Sequence, residues 1–143
     1  MYEVMIALIL KIAAEVGIPP YFALAVAQEE NCALNPNVMS AANTNGTVDL
    51  GIMQLNSRYY GEINWRDPET NIRAGCMHIK ALIDDPAPGL NTYWAIAVVY
   101  NCGIGRFLDT GPPLCSIEYG NNVIKRWNEL TNGNAAIILE GKQ

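Results

Sequence analysis

The sequence predicts a mainly helical domain with one small β-hairpin, and three observations carry this. Apolar residues recur at helical spacing near the N-terminus, and proline and glycine break the chain at helix-length intervals. A single Asn-Gly pair, Asn45-Gly46, sits in a polar stretch where a tight turn fits. At 143 residues, half of them apolar and 16% charged, the chain suits one ordered domain with a core. That domain is expected over residues 1–130, followed by a tail at 131–143.

In the first element Val4, Met5, Leu8, Ile9, Ile12, Ala13 and Val16 form one helical face, with Glu3, Lys11 and Glu15 off it. Gly17-Ile18-Pro19-Pro20 stops that helix, and a second, apolar nearly all round and therefore buried, is expected from Pro20 to Asn31. Asn35-Pro36 opens a polar stretch, within which Asn43-Thr44-Asn45-Gly46-Thr47 is the expected hairpin. Leu50 to Leu55 reads as the start of a third helix. Asp67-Pro68-Glu69 opens a fourth, with aspartate as cap, proline in the first turn and an acidic side chain at the positive end of the dipole. It should run through Ile83. A fifth is expected from Thr92 to Asn101, ended by Gly103, and a last from Ser116 to Leu130 after the Gly111-Pro112-Pro113 loop. Ala135 to Leu139 is an apolar run in the tail with no assignable element.

Charge and composition narrow the function. A net charge of −5 and a pI near 4.7 exclude the basic stripe that a nucleic-acid binder needs and weaken docking on anionic lipid. The run Val4–Leu10 is too short to span a membrane and has the wrong flanks for a secretory signal, so no export signal is visible. Cys32, Cys76, Cys102 and Cys115 form no C-x-x-C pair, and His78 is the only histidine, so no metal site is expected. Buried free thiols are the favoured state of the cysteines.

Few catalytic options remain. There is no G-x-S-x-G elbow for a serine triad, no phosphate-binding glycine loop after a strand, and no context that lowers the pKa of Cys32 or Cys102. What is left is carboxylate chemistry in Ala27-Gln28-Glu29-Glu30-Asn31. A carboxyl at the end of a buried apolar helix is poorly solvated when charged, which favours the protonated form that a general acid needs. Periodicity does not choose between the two: Glu30 continues Ala23, Val26 and Ala27, while Glu29 continues Phe22, Ala25 and Val26. Ordinary exposure at a helix end is the common fate of such residues.

From Ile6 to about Lys125 the chain resembles the soluble lytic transglycosylases, within the goose-type lysozyme-like superfamily. Ala23-Leu24-Ala25-Val26-Ala27-Gln28-Glu29-Glu30-Asn31 resembles the family's catalytic-glutamate helix, with Glu30 in the glutamate's place. Asn35-Pro36 with Ser40, Gly51-Ile52-Met53-Gln54-Leu55, Asp67-Pro68 with Asn71-Ile72 and Gly75, Tyr100-Asn101-Cys102-Gly103, and Ser116, Tyr119 and Val123 follow in the family's order. Two departures stand out. Asn31 replaces the usual serine after the glutamate, and one extra residue lies between Glu30 and Asn35-Pro36.

The resemblance implies a lysozyme-like α+β domain with a small hairpin beside the active-site cleft. It implies cleavage of the MurNAc-β-1,4-GlcNAc bond of peptidoglycan without water, leaving a 1,6-anhydro end, with Glu30 as the acid. It places Met53, Gln54, Tyr100, Tyr119, Ser40 and Asn31 around the glycan, and Asn101 as a tie between loops. No cofactor or metal is called for, and the partners are glycan strands met by a monomer, with no nucleic acid and no membrane insertion. Action on the bacterial cell wall, in periplasm or outside the cell, fits an endolysin, a virion-associated enzyme or a domain of a larger enzyme. One alternative is a hydrolytic muramidase using Asp49 as second carboxylate, which needs about 6.5–9.5 Å between carboxyls. The other is a non-catalytic glycan-binding or phage-tail module.

Overall fold

The computed structural model describes residues 1–139. Seven helices and one two-stranded antiparallel sheet occur among the described residues. The chain forms two compact units, Met1–Met77 and His78 onward, and the division falls inside one helix.

In the first unit, α1 (Tyr2–Val16) buries Met5, Ile9, Ile12 and Ala13. Val4, expected on the same stripe, is 60% exposed. The buried face is therefore narrower than the apolar pattern. Gly17 ends the helix in the left-handed region at φ 93°, and its N–H and that of Ile18 both reach the Ala13 carbonyl. α2 (Pro20–Glu30) packs against α1 and buries every residue from Phe22 to Ala27. It stops one residue earlier than expected, at Asn31. Leu34 then takes φ 51° with its side chain buried. Left-handed backbone costs a non-glycine residue about 1–2 kcal/mol, and burying a leucine returns about as much.

The sheet is not where the Asn-Gly pair suggested. β1 (Asp49–Leu50) and β2 (Leu55–Asn56) pair in the register Asp49 with Asn56 and Leu50 with Leu55. The segment expected to begin a helix is therefore the sheet and its turn. Gly51 at φ 74° and Gln54 at φ 50° are incompatible with a helix, and the carbonyl of Leu50 is taken by a distant side chain, Asn71. Around Asn45-Gly46 the chain does turn tightly, with Asn43 N–H donating to the Thr47 carbonyl. Pairing beside that turn is limited to one isolated antiparallel bridge, Met39 with Leu50, closed by Ser40 N–H on the Asp49 carbonyl and Gly51 N–H on that of Val38; residues 41–46 are exposed and offer no apolar alternation to bury. The one-turn α3 (Ser57–Tyr60) follows, capped by the Asn56 side chain, which accepts from Arg58 N–H.

Helix α4 (Pro68–Asp84) starts as expected: Asp67 Oδ2 accepts from the Thr70 N–H and hydroxyl at 2.9 and 2.7 Å. These bonds hold the Asp67 carboxyl below the usual range, the hydroxyl first and the backbone amide second. In the second unit α5 (Tyr93–Cys102) is capped by Thr92, whose hydroxyl accepts from Ala95 N–H. The short α6 (Ile104–Asp109), unforeseen because six residues carry too little periodicity, leads to α7 (Leu114–Leu130). α5 and α7 pack closely because Gly120 lacks a side chain. A Cβ there would stand 2.6 Å from Val98 Cγ2 and 3.0 Å from the indole nitrogen of Trp94. The tail, left unassigned by its sequence, lies alongside the start of α5. Ile138 bridges Thr92, Tyr93 N–H reaches the Ile137 carbonyl, and Leu139 is buried. The end of the expected tail, residues 140–143, falls outside the described residues.

Candidate active site

Glu30 is the last helical residue of α2 and is half-buried. Glu29 is half-buried as well, so exposure alone does not separate them. What distinguishes Glu30 is its direct covalent link to Asn31, a residue pinned in three places. Asn31 is 7% exposed. Its amide donates to the carbonyls of Asn35 at 2.8 Å and Gly51 at 3.3 Å, and its Oδ1 accepts from Asn35 N–H at 3.2 Å. The side chain expected to touch substrate therefore ties the end of α2 to the Asn35-Pro36 loop and to the turn of the sheet.

That turn, Gly51 to Gln54, is held from a second side. Asn71, near the start of α4 and fully buried, accepts from Met53 N–H at 2.8 Å and donates to the Leu50 carbonyl at 2.9 Å. Gly51 must be glycine for two reasons: its φ is positive, and a Cβ would collide with the Asn71 amide and stand 3.0 Å from the Trp65 carbonyl. Met53 was expected against the apolar face of a sugar. It has no exposed surface and seats on Gly75, where a Cβ would come within 2.7 Å of Met53 Cβ and Cγ. In this conformation its side chain is enclosed by packing on Gly75.

Gln54 is half-exposed and strained at φ 50°. Its amide nitrogen donates to the Gly51 carbonyl at 2.9 Å and to that of Val38 at 3.5 Å. The Gly51 carbonyl thus receives the amides of both Asn31 and Gln54, and the structure brings the Glu30 end of α2 and Gln54 to one hydrogen-bonded hub. Ser40, another expected sugar contact, spends its hydroxyl on the backbone: it donates to the Ala41 carbonyl and accepts from Asp49 N–H. The Asp49 carboxylate accepts from the amides of Asn56 at 3.2 Å and Asn43 at 3.4 Å, which makes it part of the bracing of β1 against β2.

The remaining expected site residues belong to the second unit. Tyr100 lies near the end of α5, its ring centroid 5.3 Å from that of His78, and Tyr119 is buried on α7. Burial pushes the His78 imidazole below its ordinary value. Asn101 accepts from the buried Ser116 hydroxyl at 2.6 Å and so joins the end of α5 to the start of α7. All four cysteines are free, but only Cys76 is buried, so the expectation of buried thiols holds for one of them. Burial raises the Cys76 thiol to about 12. No group of three or more metal-ligating side chains occurs among the described residues.

Asn71 was visible in the sequence only as a motif position. Its signal was an amide inside the apolar stripe of Ile72, Gly75, Cys76 and Ile79, because an asparagine on such a face needs a partner for each polar atom. The arrangement as a whole offers two half-buried carboxyls at a helix end, Glu29 and Glu30, and a turn tied to that end through Asn31 and presenting a carboxamide. Such a carboxyl can give and take back one proton. The family model called Transglycosylase SLT domain matches residues 7–112, well over half of the chain. No curated protein matches the chain significantly.

Proposed function

The chain belongs to the Transglycosylase SLT domain family, whose members act on peptidoglycan, and from that premise we propose that Glu30 alone cleaves the MurNAc-β-1,4-GlcNAc bond without water. Protonated Glu30 gives its proton to the glycosidic oxygen as the bond from C1 breaks. The acetamido oxygen of the MurNAc residue stabilises the sugar cation, the substrate-assisted exception to catalysis by two carboxylates. Glu30, now a carboxylate, takes the proton of the C6 hydroxyl, and O6 closes on C1 to give the 1,6-anhydro ring. The proton count balances with no water consumed.

The observation that carries this reading is the place of Glu30. It ends a helix whose residues from Phe22 to Ala27 are buried, is itself half-buried, and is followed directly by Asn31, which is bonded to the Gly51 turn. Gln54 Oε1, which accepts no hydrogen bond among the described residues, is available to a sugar N–H or hydroxyl. Tyr100 and Tyr119 are assigned to glycan binding on the family resemblance of their motifs. Met53, Ser40 and Asn31 support the site from behind. The protein acts on the bacterial cell wall as a monomer, and no helix among the described residues is long and apolar enough to cross a membrane.

Mass spectrometry of fragments released from purified peptidoglycan tests this. Anhydro ends from the wild type and none from Glu30→Gln are expected. Reducing ends together with inactivation by Asp49→Asn would instead establish hydrolysis with a second carboxylate. Binding without any released fragment would make the chain a glycan-binding module.

A further inference from the structure

We infer that the buried asparagines Asn31 and Asn71 are positioning residues that hold the Gly51–Gln54 turn in register with the Glu30 end of α2. The inference rests on the assignment of Glu30 as the catalytic acid and goes beyond it, because neither asparagine needs to touch substrate.

The turn is a strained object. Gly51 and Gln54 both have positive φ, at 74° and 50°, and four residues join strands of only two residues each. Such a turn has little sheet to hold it, and its backbone polar groups must find partners elsewhere. They find them on two side chains distant in sequence. Asn71 of α4 takes the Leu50 carbonyl and the Met53 N–H, one bond on each side of the bend. Asn31, the residue after Glu30, takes the Gly51 carbonyl and with its other polar atoms grips Asn35. Both are buried, at 0% and 7% exposure. The Gly51 carbonyl also receives the amide of Gln54. A continuous chain of bonds therefore runs from the Glu30 peptide through Asn31 and Gly51 to the Gln54 side chain, with Asn71 fixing the same turn from α4.

Asparagine suits the task better than a hydroxyl residue. Its carboxamide carries two donors and one acceptor on one rigid plane, so a single side chain can serve the Asn35 N–H, the Asn35 carbonyl and the Gly51 carbonyl together. A serine at position 31 has one donor and a shorter reach. The consequence for catalysis is geometric: displacement of a reacting group by about 1 Å can cost on the order of 100-fold in rate. Loss of these bonds should therefore appear in the chemical step more than in binding.

The test uses the full chain and soluble, uncrosslinked peptidoglycan glycan strands, with kcat and KM measured for Asn31→Ala, Asn71→Ser, Gln54→Ala and the double variant Asn31→Ala/Gln54→Ala. Circular dichroism and Tm confirm which variants are folded. Asn31→Ala should lose roughly 10- to 100-fold in kcat while KM moves less than about threefold. In the Gln54→Ala background the same change should cost markedly less, because the hub it controls is already broken. Should Asn71→Ser fail to fold, Asn31→Ala decides the matter alone. A lowered Tm with kcat within about twofold of wild type overturns the inference, as do losses that simply multiply in the double variant. Glu30→Gln separates the two layers. If it is inactive while Asn31→Ala is normal, only the positioning role falls; if it is active, the catalytic assignment falls and the positioning role with it.

Discussion

Replacing Gly51 by alanine isolates how much the turn beside Glu30 depends on one missing side chain. Two costs follow from the structure. The backbone at φ 74° is left-handed, which costs a residue with a Cβ about 1–2 kcal/mol. The new methyl would also strike the Asn71 amide and stand 3.0 Å from the Trp65 carbonyl, both in the interior, where overpacking costs about 1–3 kcal/mol. Alanine also restricts the unfolded chain, a stabilising effect of about 0.4–1 kcal/mol. The sum is a loss of about 2–4 kcal/mol. Gly46 supplies the control: its φ is 83°, yet nothing lies within 4 Å of a Cβ there. Gly46→Ala bears only the conformational term, about 1 kcal/mol after the same offset. Urea denaturation of both variants, followed by circular dichroism, gives the two values. If Gly51→Ala costs no more than Gly46→Ala, the steric account of the turn and its contact with Asn71 is wrong.

Two further predictions concern groups shifted by burial. His78 titrates below 6.5 in the folded protein, so between that depressed value and 6.5 the unfolded chain binds more protons and stability falls as pH drops. Urea midpoints measured from pH 7.5 to 4.5 should show this slope, and His78→Gln should reduce it; an unchanged slope contradicts the burial of the ring. Among the cysteines, Cys32 and Cys115 should react with iodoacetamide in the native protein, while Cys76, buried and with its thiol raised to about 12, should react only after denaturation. Peptide mapping of labelled protein reads this directly, and rapid native labelling of Cys76 would refute its enclosure.

Much of the helical framework was legible because its determinants are local. The buried face of α1, the Gly17 stop, the Asp67 cap on α4 and the Thr92 cap on α5 all involve residues within about one turn of each other. The carboxylate pair was legible too, since two glutamates ending an apolar helix are conspicuous. The sheet was misplaced for the opposite reason. Asn-Gly at 45–46 carries turn chemistry but no flanking apolar alternation, whereas Gly51–Gln54 carries helix-compatible residues whose conformation is imposed from outside.

The order of residues thus determined the long helices, the caps of α4 and α5 and the family motifs, each a property of neighbours along the chain. Only the tertiary structure decided that Gly51–Gln54 is a turn, that Met53 faces inward onto Gly75, and that Asn31 and Asn71 grip the backbone. The bonds responsible join residues 18, 20 and 21 positions apart. A buried amide takes whatever unpaired backbone group the fold brings to it, and no local pattern specifies which group that is.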